Sequence, residues 1–248
     1  MIEFDLMFPD KVGSFSNEVL LRRFLTDGFI KNTPGSRPWR TYDSSVDDYQ
    51  DDLAAGLQVP LIDFINSKQN PVILDLMASA AGLRDLFKRT HSEPELGIAV
   101  AYEDVRSPSQ RASDLLSGIF QLRSDLADRQ SWVEIGDILD GEVDLIIQRG
   151  RAGVDSMPAH RGFYNTVKRH LWAALARDGL MVSQVHNDQE LRSAGINLSR
   201  WTSRLNRIGV QARYVPGVPV LQRDANNDCY GIVSLVKTPN APKYLPMI

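Results

Sequence analysis

From residue 71 onward, short apolar runs alternate with stretches of helical period. PVILDL (71–76), LGIAVAY (96–102), SWVEIGD (131–137), VDLIIQ (143–148) and LMVSQV (180–185) have the length and apolar density of buried strands. Between them, GLRDLFKRT (82–90), residues 107–130 and FYNTVKRHLWAALARDG (163–179) carry helical patterning, the last with Gly179 placed as a C-terminal cap. Strands alternating with helices predict a parallel sheet covered on both faces. The tail breaks this rhythm. After the helix SRWTSRLNRIG (199–209), VQARYVPG and CYGIVSLVK follow with no helix between them, so they pair antiparallel. The predicted fold is α/β: a doubly wound, mainly parallel, seven-stranded Rossmann-like sheet closed by a C-terminal antiparallel hairpin.

Residues 1–66 differ. NEVLLRRFLTDGFI (17–30) has helical spacing, a Pro-, Gly- and Ser-rich loop follows, and residues 44–68 resume an amphipathic helical pattern broken near Pro60. This section holds too few apolar residues for a core of its own. The predicted division is a helical cap or lid over 1–66 and an α/β domain over 67–248. Trp39, Tyr42 and Tyr49 in the cap either shape a ligand pocket or pack the cap onto the core.

Composition narrows the function classes only a little. The 248 residues fit one large domain, and 43% hydrophobic with 24% charged residues is ordinary for a globular protein. A net charge of −3 gives no overall case for a nucleic-acid partner, although it leaves room for a local basic patch. The single cysteine, Cys229, rules out an intrachain disulfide and a Cys-based zinc site, and its apolar surroundings predict a core position. The start, MIEFDLMFPDKVGSF, lacks the pattern of a secretory signal, and no apolar run approaches a membrane span, so a cytoplasmic protein with no membrane association is expected.

The candidate chemistry lies where the strands end. In open α/β sheets, ligands sit outside the carboxyl ends of the strands. Read that way, strand one ends in Asp75 before a small-residue turn and Gly82. Strand two ends in Glu103 and Asp104, strand three in Gly136-Asp137, and strand four in Gln148-Arg149-Gly150. An acid after strand two can accept both hydroxyls of a ribose, and one after strand three can accept from an adenine amine. A slim turn after strand one lets a ligand approach the backbone.

This order of elements resembles the class I S-adenosylmethionine-dependent methyltransferases over roughly residues 66–240. VILDLMASAAGL is similar to their first motif, SWVEIGDILD to their third-strand segment, VDLIIQRG to the fourth strand, and the closing hairpin to theirs. The resemblance implies S-adenosylmethionine as cofactor, with Asp75, Ala78, Ser79 and Gly82 at its methionine end. It further implies Glu103 or Asp104 at the ribose, Asp137 and Ile138 at the adenine, and Gln148 and Arg149 facing the methyl group and the acceptor. The family's usual glycines are here Met77, Ser79 and Ala81. Any of these that needs a positive φ is strained, and Met77 narrows the loop. The fourth strand also lacks the Asn/Asp-Pro-Pro-aromatic signature of amino methylation on nucleobases or glutamine, which argues against those substrates, and the acidic pI with the lid-like front section makes a small molecule the expected acceptor.

His160 and His186 follow strands four and five and are the candidate catalytic bases, each with a surface-loop reading beside it. His91 and His170 are expected to be structural, and no pair of histidines has metal-ligand spacing. The competing reading is an inactive member of the fold that serves as a ligand-binding or interaction module. A nicotinamide-dependent oxidoreductase would need a G-x-G-x-x-G loop, which the chain does not have. The sequence leaves the oligomeric state open.

Overall fold

Five consecutive buried residues, VILDL, form β1 (Val72–Leu76), flanked on both sides by parallel partners. A computed structural model of the protein describes residues 45–91, 96–101, 104, 106–139, 141–149, 159–219 and 229–248. Around β1 lie β2 (Leu96–Ala101), β3 (Ile119–Arg123), β4 (Val143–Gln148), β5 (Leu175–Val185), β6 (Gln211–Pro219) and β7 (Cys229–Val236) in one sheet of order β3-β2-β1-β4-β5-β7-β6. The first five strands are parallel, and Leu74 sits between Ile98 and Ile146. β7 runs antiparallel to both β5 and β6. The doubly wound sheet and its closing hairpin are as the sequence predicts. Strand order reverses between β1 and β4, which makes that crevice the switch point of the sheet.

Side-chain alternation sends the strand residues into two cores. Ile73, Leu145, Ile147, Val182 and Ile232 pack beneath α1 (Val46–Leu53), α2 (Leu61–Asn66) and α3 (Ala80–Arg89). Leu74, Ile146, Met181 and Val233 pack beneath α5 (Arg129–Ile138), α6 (Arg161–Ala174) and α8 (Leu198–Arg207). Two further helices, α4 (Pro108–Leu116) and α7 (Asp188–Ser193), complete the connections. α1 starts at a capping box in which Ser45 Oγ accepts the Asp48 N–H at 3.2 Å and the Asp48 carboxylate accepts the Ser45 N–H at 2.9 Å. Pro60 is the N-cap of α2, which accounts for the predicted break.

Three expectations are corrected. The third strand is IFQLR, not SWVEIGD. The preceding helix stops at Leu116 because Gly118 adopts a left-handed φ of 72°, and the chain then pairs with β2 through Gly97 and Ile119. Asp128 caps α5 by accepting the Gln130 N–H at 3.0 Å, and Trp132 packs edge-on against Phe163, so SWVEIGD is helical despite its strand-like composition. α6 ends at Ala174, not Gly179, and the left-handed turn residue is Asp178 (φ 57°). Cys229 is exposed at the start of β7, not in the core. The helix predicted over 17–30, Trp39, Tyr42 and Glu103 lie outside the described residues. No helix among the described residues is long and apolar enough to cross a membrane.

Candidate functional site

The turn after β1 answers the question its missing glycines raise. Met77 stands at the first family glycine and takes φ = 68°, a conformation that costs a branched or bulky residue about 1 kcal/mol. Its N–H is fixed by the Val100 carbonyl at 2.8 Å. Ser79, at the second, has an ordinary φ of −77° and caps α3 by accepting the Ala81 N–H at 3.2 Å. Ala81 lies in the first turn of α3. One substitution of the three therefore carries strain. The Ala80 N–H donates to Gln121 Oε1 at 3.1 Å, so two N–H groups at this helix start already have partners. That leaves it poorly suited to a pyrophosphate, which seeks such groups.

Gly82 lies in the first turn of α3, against Tyr49. A Cβ there would lie 2.1 Å from the Tyr49 hydroxyl, so the glycine makes the seat for that ring. From this seat Tyr49 donates to Asp75 Oδ2 at 2.5 Å. One turn along α1, Asp52 accepts from Arg149 Nε at 2.6 Å, and both side chains are buried. The Arg149 guanidinium lies 5.4 Å from the Tyr49 ring centre. α1 thus grips the switch point twice, once at the end of β1 and once just past β4. Tyr49 packs α1 onto the core and also contacts the candidate site.

Asp75 is fully buried, and its Oδ1 has no hydrogen-bond partner. Burial pushes its carboxyl up to about 7, against the opposing pull of the Tyr49 hydrogen bond and the Arg149 charge. Ser124 Oγ, past the end of β3, and Ser183 Oγ, beside Gln148 in the β4–β5 register, are likewise buried without partners. Buried polar atoms of this kind are rare in folded proteins, and each calls for an explanation. Gln148 is buried at the end of β4, and Ala78 is buried in the β1 turn.

At β2 the described acid is Asp104. Asp104 is held bidentately by Arg106 at 2.9 and 3.0 Å, with Arg111 at 3.2 Å. Burial alone would raise its carboxyl, but the Arg106 hydrogen bonds and charge hold it below the usual range. Arg106 also reaches Asp114, which binds Arg84, so Asp104 belongs to a structural ion network.

At β3 the acid missed by the sequence is Asp125. It is buried just past the strand, with Oδ1 accepting the Ala127 N–H at 3.0 Å and its carbonyl accepting from Ser131 Oγ at 2.7 Å. Asp137 is exposed near the end of α5, only a few residues before β4 begins. A crossover helix returns the chain to the start of the next strand, so Asp137 and Ile138 sit at the opposite edge of the sheet from Asp75. They do not join the cluster. The overlooked signal was Ser117-Gly118 before IFQLRSD, a stop followed by a short strand and an acid.

His186 is buried just beyond β5, with Nδ1 2.6 Å from the Tyr164 hydroxyl, whose oxygen also accepts the His186 backbone N–H at 3.3 Å. It lines an open cavity of about 640 Å³ with Ala159, Asn187 and Glu190. His160 is exposed, and its Nδ1 caps α6 by accepting the Gly162 N–H at 3.1 Å. Among the described residues no group of three or more His, Cys, Asp or Glu is placed to hold a metal.

The sheet order, with β7 inserted antiparallel between β5 and β6, is that of the class I S-adenosylmethionine-dependent methyltransferases, and the chain has their fold. Among solved structures it is similar to 1,6-didemethyltoxoflavin-N1-methyltransferase of Burkholderia thailandensis, crystallised with S-adenosylhomocysteine (14% identity, 79% of each chain, TM-score 0.45). It is also similar to an O-methyltransferase of Thermotoga maritima (13% identity, 80% of this chain and 73% of that one, TM-score 0.42). A third is the CurJ carbon methyltransferase (12% identity, 73% of this chain, TM-score 0.42), of which the chain spans 50%. No protein-family model and no curated protein matches the sequence.

Proposed function

We propose that the protein transfers a methyl group from S-adenosylmethionine to a small-molecule acceptor at the β1/β4 switch point. The observation that carries this reading is the buried Asp75 carboxylate with one oxygen unpartnered at the point where strand order reverses. The cofactor would supply a methyl group already activated on a sulfonium, so no enzyme nucleophile is needed. Asp75 would accept from its ammonium group, Glu103 would hold the ribose, and Ser124 with Asp125 would face the adenine in place of Asp137 and Ile138. Gln148 and Arg149 would line the transfer side. Arg149 is oriented by Asp52, and Tyr49 holds Asp75. Their task is to align donor and acceptor and to exclude water. His186, oriented by Tyr164, would take an acceptor proton.

A second reading, an inactive member of the fold used as a binding module, draws support from the same cluster. Tyr49 and Asp52 already bond to Asp75 and Arg149, and Met77 occupies a glycine's place. Titration calorimetry with S-adenosylmethionine and S-adenosylhomocysteine separates the two. The methyltransferase reading expects saturable binding of both, and no heat at millimolar ligand refutes it.

A further inference from the structure

One face of this acidic protein is basic. α6, α8 and residues 237–248 carry six exposed Lys and Arg and no Asp or Glu. Folding brings α6, α8 and the segment after β7 together. Trp172 Nε1 donates to the Pro242 carbonyl at 3.1 Å, and Trp201 Nε1 to the Pro246 carbonyl at 2.8 Å. Asn165 Oδ1 accepts the Ile248 N–H at 2.7 Å, and Arg161 Nε donates to the Ile248 carbonyl at 2.5 Å. These four bonds lay residues 242–248 along the groove between α6 and α8. Hollows of about 460 and 600 Å³ lie beside this strap, the second lined by Arg161, Arg200 and Arg204.

On α8 the apolar residues Leu198, Trp201 and Leu205 are buried, which turns Arg200, Arg204 and Arg207 outward as one stripe. Their spacing gives steps of about 6 and 4.5 Å along the helix axis. Arg161 and Arg169 on α6 and Lys243 on the strap are exposed as well. Tyr244 stands 64% exposed on this face, with the Lys243 ammonium 5.4 Å from its ring centre.

We propose that this face binds single-stranded RNA, independently of methyl transfer at the switch point. Arginine forks match phosphate oxygens bidentately, and an exposed aromatic ring offers a platform for an unstacked base. The exposed hydroxyl residues Ser199 and Ser203, interleaved with the arginines, suit a ribose 2′-hydroxyl. The other polyanions fit less well. A protein interface is depleted of charge at its centre, whereas this face carries the unbroken stripe of Arg200, Arg204 and Arg207. Binding along an anionic membrane needs a free apolar helix face, and that of α8 is buried in the core. The net charge of −3 averages over the whole chain and hides the asymmetry.

The test is fluorescence anisotropy of the full chain with a labelled single-stranded RNA of about 16 nucleotides, between about 50 and 200 mM salt. Micromolar binding that weakens steeply with salt is expected. Arg200→Gln/Arg204→Gln/Arg207→Gln should weaken it at least tenfold and flatten the log–log salt slope by about 2, at roughly 0.7 per phosphate contact. Tyr244→Ala should weaken binding severalfold and leave the slope unchanged. Arg89→Gln, on the far face, should change nothing. If the triple variant does not melt cooperatively, single Arg200→Gln and Arg204→Gln replace it, each flattening the slope by about 0.7. The proposal is overturned by no binding at low salt, by a triple variant that binds as the parent does, or by equal affinity for the DNA of the same sequence. Tighter binding to a polyglutamate peptide or to anionic vesicles than to RNA also overturns it. None of these results bears on S-adenosylmethionine calorimetry, so the two accounts fail separately.

Discussion

Asp75→Asn isolates the electrostatics of the switch point. The folded protein holds the Asp75 carboxyl at about 7, against an ordinary value of 3.8. Between about pH 4 and 7 the folded chain therefore keeps a proton that the unfolded chain has released. Stability from this group falls as pH rises through that window and is lowest above 7. Roughly three units at 1.36 kcal/mol each give a cost of about 4 kcal/mol at pH 8. Asparagine keeps an acceptor for the Tyr49 hydroxyl and removes the charge. The variant should match the parent near pH 4 and exceed it at pH 8 by several degrees in Tm, at about 2–4 °C per kcal/mol for a chain of this size. Scanning calorimetry across pH 4–8 reads the difference directly. A constant offset across the range, or a variant less stable at pH 8, refutes the account of Asp75.

Lys168 is buried in α6 with its ammonium unpartnered, and burial lowers it to about 7. Lys168→Met should raise stability at pH 7 by a few kcal/mol, with the gain shrinking toward pH 10 as the unfolded chain also loses its proton; denaturant melts at the two pH values test this. Gly82→Ala forces a Cβ into the Tyr49 ring and should cost about 2–3 kcal/mol in urea unfolding, a penalty that Tyr49→Ala in the same chain should largely remove. Asp52→Ala leaves Arg149 buried without its ion-pair partner and should cost about 3–5 kcal/mol, while Asp52→Leu/Arg149→Met should recover most of it in the same assay.

Strong periodicity made most of the fold legible. β1, β2, β4 and β7 are largely apolar runs, Pro60 marked a real boundary, and β6 and β7 pair antiparallel as their patterns predict. The third strand was missed because IFQLR is short and follows a helix whose amphipathic pattern extends through it. SWVEIGD has the β-branched and aromatic content of a strand but yields to the Asp128 cap and to packing on α6. That single error moved the acid expected at the end of the third strand from Asp125 to Asp137, at the opposite edge of the sheet. Asp75 was legible as a strand-ending acid. The roles of Tyr49 and Asp52 were not, because hydrogen bonds spanning 26 and 97 residues leave no local trace. The seat that Gly82 provides for Tyr49 was hidden for the same reason.

The most direct test of the central claim is the affinity for S-adenosylhomocysteine measured by calorimetry at several pH values from about 5.5 to 8.5, on the parent chain and on Asp75→Asn. An ionised Asp75 is the form that accepts from the ligand's ammonium group, so the parent should bind more weakly as pH falls through about 7. The variant should bind weakly and without that pH dependence. Parent and variant binding equally well at every pH, or neither binding at all, would contradict the placing of the cofactor at Asp75.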